Sequence, residues 1–251
     1  MRTRPDPGNP PQPFPLTDRD LAALRRAGSV PYLNVAPLVR GLESHLQLLP
    51  PAVLGEHLRT GRLDAGLLSI TEALLHDTCV VLDGPCVASD GPVFSVILAH
   101  SEPLIAARVV HCHAASLTSV NLLRVLLAER GLHPEFRTLE DPEAAPRHDF
   151  VLLIGDPAIR FRLSNPAPRH AIWDLGQAWR ELTGLPFVYA AWVLRRDAET
   201  TRLQRLLLDA AERGRHELDE VIRTTQGFDE DFRRRYLTEH VRNRLGDREK
   251  A

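Results

Sequence analysis

Asn34 stands where the apolar stretch GSVPYL gives way to APLVRGLE, a run entered at Pro37. A side-chain amide offers two donors and two acceptors without charge, so it can orient a leaving hydroxyl or a water but cannot act as a base. In ASLTSVNLL, Ser116, Thr118 and Ser119 place hydroxyls where a helix begins. The first N–H groups of that helix lack intrahelical partners and suit a carboxylate or phosphate, worth roughly 0.3–1 kcal/mol, or about 2 if partly buried. Ser95 interrupts the apolar SDGPVFSV, Ser69 sits at the joint of LLSITEA, and Gly155 with Asp156 follows a buried strand in LLIGDPAIR, like the edge of a cleft. Each has a bland alternative. Ser69, Thr118, Ser119 and Asp156 also fit as helix caps, and Ser95 as a serine bonded to neighbouring backbone. Asn34 is less suitably spaced for capping, because Ala36 is the residue next to the helix start.

These residues fall at strand ends and helix starts, where open α/β sheets bind ligands. Strands and helices alternate along the chain, which predicts an α/β fold of mostly parallel sheets in two lobes. Residues 17–105 and 190–251 should form a discontinuous first lobe, and 106–189 an inserted second, with a cleft between them. Helices are expected over 36–43, 120–131, 198–223 and 229–245. Residues 1–16, rich in proline, read as a disordered tail.

Composition narrows the partners. The 31 basic and 33 acidic residues leave a net charge of −2, so nothing favours nucleic acid or an anionic membrane. Cys79, Cys86 and Cys112 lack CxxC spacing and read as buried thiols in a reducing compartment. No run of about 18 apolar residues could span a bilayer, and the N-terminus lacks the apolar centre of a secretory signal. A cytoplasmic protein with a small-molecule partner is expected, with monomer and homodimer both open. His111 and His113 share a strand face without a third ligand at useful spacing, and GxSxG, GxxxxGK[ST] and HExxH are all missing.

With these stretches in hand, the chain resembles the chorismate dehydratase family of the futalosine route to menaquinone. The pieces that carry the resemblance are GSVPYLNVAPLVRGL, GRLDAGLLSITEAL, SDGPVFSV, SLTSVNLLRVLL, LLIGDPAIR, DLGQAWRELTGLPFVYAAWVLRR and FDEDFRRRYL, in family order over about residues 27–245. The resemblance implies a two-lobed fold like that of type II periplasmic binding proteins. It also implies a lyase that dehydrates chorismate to 3-[(1-carboxyvinyl)oxy]benzoate without metal or organic cofactor. The family's cleft asparagine falls on Asn34, its strand serine on Ser95, its helix-start hydroxyls on Thr118 and Ser119, and its glycine-aspartate turn on Gly155 and Asp156. Leu117 is a departure, since the family often has arginine there. On this resemblance Thr118, Ser119 and Ser95 hold carboxylate oxygens and Asn34 addresses the departing hydroxyl. The base is either Asp156 or the substrate's own enolpyruvyl carboxylate. A cytosolic anion-sensing module and the sister 1,4-dihydroxy-6-naphthoate synthase are competing readings.

Overall fold

The computed structural model describes residues 16–113, 117–164 and 169–251. Ser116 and the tail up to residue 15 lie outside the described residues. A capping box starts the fold: Thr17 Oγ1 accepts from the Asp20 N–H while Asp20 accepts from the Thr17 N–H, opening α1 (Asp18–Leu24). Next come β1 (Ala27–Ser29), β2 (Gln47–Leu48), α2 (Pro51–Arg59), β3 (Ala65–Ser69), α3 (Ile70–Leu75) and β4 (Cys79–Ser89). The chain then crosses to β5 (Val96–His100), β6 (Val109–His113), α4 (Leu117–Ala128), β7 (Glu135–Leu139), β8 (Phe150–Ile154), α5 (Gly155–Leu163), β9 (Ala171–Asp174) and α6 (Leu175–Thr183). It returns through β10 (Phe187–Arg195) to α7 (Thr201–His216), α8 (Leu218–Thr224), α9 (Glu230–Arg235), β11 (Arg242–Arg244) and α10 (Asp247–Lys250).

The two sheets repeat one plan. The first has the order β2-β1-β3-β10-β4-β11 and the second β7-β6-β8-β5-β9. In each, a guest strand lies between the third and fourth strands of its half: β10 in the first sheet and β5 in the second. Because the guest arrives from the other lobe, it runs against its neighbours. The sheets are therefore mixed instead of mostly parallel, with β1 parallel to β2 and β3, β6 parallel to β7 and β8, and both guests antiparallel to the strands on either side.

The guest strands also move the expected lobe boundaries. Residues 96–100, expected in the first lobe, instead form β5, which pairs with β8 and β9 in the second sheet. Its run VILA is buried and suits a central strand, so the first crossing falls at 90–95 and the second just before Phe187.

Three expected elements differ in form. The helix after Asn34 is a short 3-10 turn, Leu33–Leu38, with Pro37 inside it. The helix expected over 198–223 breaks at Glu217, whose carboxylate accepts from Arg40 Nε at 2.8 Å. The last expected helix stops at Arg235 and becomes a π turn, Tyr236–His240, closed by the Val241 N–H donating to the Tyr236 carbonyl at 3.1 Å, before β11 joins the edge of β4. Sequence periodicity does not report such changes, and the break at Glu217 coincides with a contact to a residue 177 positions away.

Cys79, Cys86 and Cys112 are free and buried, and burial pushes the thiols of Cys86 and Cys112 up to about 12. Among the described residues no helix is long and apolar enough to cross a membrane, and no group of three or more His, Cys, Asp or Glu residues could hold a metal ion.

Candidate functional site between the lobes

The turn carrying Asn34 is pinned from three directions. Asp156, at the start of α5 in the other lobe, accepts the Leu33 N–H at 2.9 Å. From the C-terminal region, Asn243 Nδ2 donates to the Asn34 carbonyl at 3.3 Å. From behind, Gly214 of α7 lies against the Pro37 backbone. Asn34 Oδ1 itself is buried with no hydrogen-bond partner. Buried polar atoms are rarely left so, which makes an atom held in place and unsatisfied a candidate for ligand contact.

Ser95 reaches the same space by a strained route. Phe94 has φ +67°, the left-handed region, as the only non-glycine residue to do so among the described residues. That conformation costs about 1–2 kcal/mol in an L residue. Asp174 offsets the cost by accepting the N–H groups of Val93 and Phe94 at 3.0 and 2.8 Å. The Phe94 ring is gripped between the Arg162 guanidinium, 3.9 Å from its centroid, and Phe232, 5.2 Å away. The following Ser95 is fully buried from bulk solvent and still borders the cavity between the lobes.

Behind Ser95 stands Tyr236, whose hydroxyl donates to Ser95 Oγ at 2.7 Å. Burial pushes that phenol well above its usual range, tempered by hydrogen bonds with Ser95 and Asn34. Tyr236 thus links the two candidate groups from the rear, and leaves the Ser95 proton free to point into the cavity. The sequence reading did not assign it to the site. A signal was present: Phe228, Phe232, Tyr236 and His240 form a four-residue aromatic stripe whose neighbouring rings lie 5.3–6.5 Å apart. Tyr236→Phe keeps the packing and removes the donor, and it should lower turnover about tenfold with little change in melting temperature. Parallel kinetics and thermal melts check this; unchanged turnover would remove Tyr236 from the site.

Opposite lies the start of α4. Thr118 Oγ1 contacts the Ser69 hydroxyl, and meets the Thr71 hydroxyl at 3.0 Å and the Thr71 N–H at 3.3 Å. Ser69 and Thr71 belong to the first lobe, so Thr118 latches the lobes together. Ser119 makes no hydrogen bond within the described residues and lines this wall, and the first N–H groups of α4 have no partner within the helix itself.

The cavity between these groups is narrow, about 70 Å³. Asn34, Ser69, Ser95, Thr118, Ser119 and Gly155 all line it, against apolar walls that include Val30, Val87 and Ile154. Tyr32 and Tyr189, not singled out from sequence, line it too. Asp156 does not. Its carboxyl is pushed above the ordinary range by burial, against the opposing pull of the Leu33 N–H and Arg160. Gly155 is required by shape: its φ is +62°, and a Cβ would strike the Tyr32 ring. His111 packs against His148 with tilted rings whose centroids lie 3.8 Å apart, away from this cavity.

Two mixed α/β sheets with exchanged guest strands and a cleft between them define a periplasmic-binding-protein-like fold. Solved structures agree at low identity: protein AF1704 of Archaeoglobus fulgidus is 18% identical with a TM-score of 0.65, covering 84% of this chain and 85% of that one. The alkanesulfonate-binding protein SsuA of Xanthomonas axonopodis, bound to MOPS, is 18% identical with a TM-score of 0.59, covering 86% and 85%. The chain belongs to the menaquinone biosynthesis family, whose model matches residues 25–251. A curated relative, the chorismate dehydratase of Thermus thermophilus, is 35% identical over 209 residues, 76% of this chain and 77% of the relative.

Proposed function

We propose that this chain is a chorismate dehydratase, a hydro-lyase that converts chorismate to 3-[(1-carboxyvinyl)oxy]benzoate in the cytoplasm. The observation that carries the reading is the convergence of Asn34, Ser95 and Ser119 on one interlobe cavity. Kinship to a chorismate dehydratase supplies the substrate.

Chorismate is a ring dicarboxylate one dehydration short of aromatic. The electron pair of a ring C–H bond becomes a ring double bond as the neighbouring C–O bond breaks, and the proton and hydroxide leave as water. Aromatisation drives the reaction, so positioning and modest acid–base help are enough. In this reading the Asn34 amide hydrogen-bonds the departing hydroxyl. Ser95, backed by Tyr236, and Ser119 with the α4 N–H groups hold carboxylate oxygens. Thr118, engaged with Ser69 and Thr71, keeps the lobes closed over the ring.

Asp156 has one oxygen committed to Leu33 and lies off the cavity wall, which supports a positioning role for it. The substrate's own enolpyruvyl carboxylate then takes the ring proton. Asp156→Asn retains an acceptor for Leu33 and should keep turnover within about tenfold, whereas loss of the base would cost far more. The stability effect has a definite sign. The folded carboxyl binds its proton more tightly than the unfolded one, so its burial costs nothing below the ordinary carboxylate range. The cost grows as pH rises through the folded value, and is complete above it. Asp156→Asn should therefore raise the melting temperature at neutral pH, with the gain vanishing toward pH about 3.5. A gain that grew on acidification would refute this account.

The function itself is tested by incubating purified protein with chorismate and following absorbance and mass. The expected product is aromatic and lighter by one water. Binding of chorismate without turnover would reject the reading in favour of a sensing module.

A further inference from the structure

Beyond the inner cavity the cleft opens into a second one, which shares Pro51, Leu68, Ser69 and Leu117 with it as a common wall. The two differ in charge. No lysine or arginine lines the inner cavity, whereas the outer carries Arg59, Arg124 and Arg137 against one carboxylate, Glu72. Two of those cations are already compensated: Arg59 pairs with Glu72, and Arg137 with Glu135 at 2.8 Å. Arg124 has no carboxylate partner among the described residues. It donates to Asn121 Oδ1 at 3.2 Å and lies 4.9 Å from the centre of the Phe136 ring.

Arg124 follows Leu117 by seven residues on α4, about two turns, so both share a helix face. Long side chains on a helix lean toward its N-terminus, which here is the end that meets the inner cavity. A dianion drawn wholly into the neutral inner cavity would lose its hydration without meeting a counter-charge.

We propose that the outer cavity is an anion-recruiting vestibule. In it Arg124 supplies the counter-charge for the ring carboxylate of a cyclic dicarboxylate whose other end, with the carboxylate that takes the ring proton, reaches the Asn34–Ser95 wall. The inference rests on the dicarboxylate reading of the substrate above. Arg124 selects for two negative charges over one and speeds capture at low ionic strength, while the bond-breaking step is left to the inner residues.

The test compares the parent protein with Arg124→Gln and Arg124→Lys. With chorismate, the Gln variant should raise KM about tenfold, keep kcat within about twofold, and flatten the dependence of kcat/KM on salt. The Lys variant should restore most of the KM and the salt dependence. A separate arm measures calorimetric binding of benzene-1,3-dicarboxylate and of benzoate. The parent should prefer the dicarboxylate, and Arg124→Gln should lose that preference. If the parent does not turn over chorismate but the preference exists and depends on Arg124, the dehydratase reading fails and the vestibule stands. Unchanged KM, salt dependence and binding preference in Arg124→Gln would overturn the vestibule. So would a fall in kcat at constant KM, the mark of a structural role.

Discussion

Asn34→Ala should lower turnover of chorismate by about 10²-fold or more while leaving the melting temperature nearly unchanged. The two halves of that expectation come from one observation. Asn34 Oδ1 is buried without a partner, so the alanine variant loses the amide's contact with the Tyr236 hydroxyl but is also relieved of a desolvated acceptor, and the two effects oppose each other. Its backbone is held independently, through the Leu33 N–H on Asp156 and the Asn34 carbonyl on Asn243. The turn should therefore keep its place with alanine in it. What disappears is the group proposed to hydrogen-bond the departing hydroxyl, a contact whose effect would be largest when the C–O bond is half broken and charge gathers on oxygen. The loss should appear in kcat more than in KM. Unchanged turnover would take Asn34 out of the mechanism, and a loss explained by unfolding would show in the melt.

Gly214→Ala carries the second large effect, and its sign opposes the ordinary rule. Alanine for glycine inside a helix usually stabilises by about 0.5–1 kcal/mol. Gly214 lies near the end of α7, a helix with alanine, leucine and arginine around it, so sequence alone recommends the change. In the fold, a Cβ at this position would collide with the Pro37 backbone, which has no flexible end to swing aside. Overpacking of this kind costs about 1–3 kcal/mol and sometimes more. The variant should melt roughly 2–12 °C lower for a chain of this size. Because Pro37 belongs to the turn that carries Asn34, turnover should fall as well. A higher melting temperature with full activity would show that α7 does not support the site.

Much of the element order could be read from the chain. The strands at 65–69, 109–113 and 150–154, and the α4 helix, were legible because each is short, apolar and bounded by turn residues or caps. The candidate residues were legible for a related reason, since an isolated hydroxyl or amide at a strand end conflicts with burial unless something bonds it. Tyr236 was less visible. It lies in an amphipathic run that reads as one continuous helix, and the π turn that aims its hydroxyl at Ser95 depends on a residue 141 positions earlier. Asp156 shows the opposite case: a carboxylate at a helix start reads as chemistry, yet its nearest bond is to the backbone of another lobe.

The sequence by itself determined the class of architecture, the family pattern and the polar residues available, because local periodicity and residue type need only neighbours a few positions away. The tertiary structure alone decided which strands are guests, where the lobes cross, and that the start of α4 faces Asn34 and Ser95 across a cavity. The reason is physical. Pairing direction, the left-handed Phe94, and the clamping of the Asn34 turn by Asp156, Asn243 and Gly214 are contacts between segments far apart in the chain. Their energies exist only once the two halves are packed together.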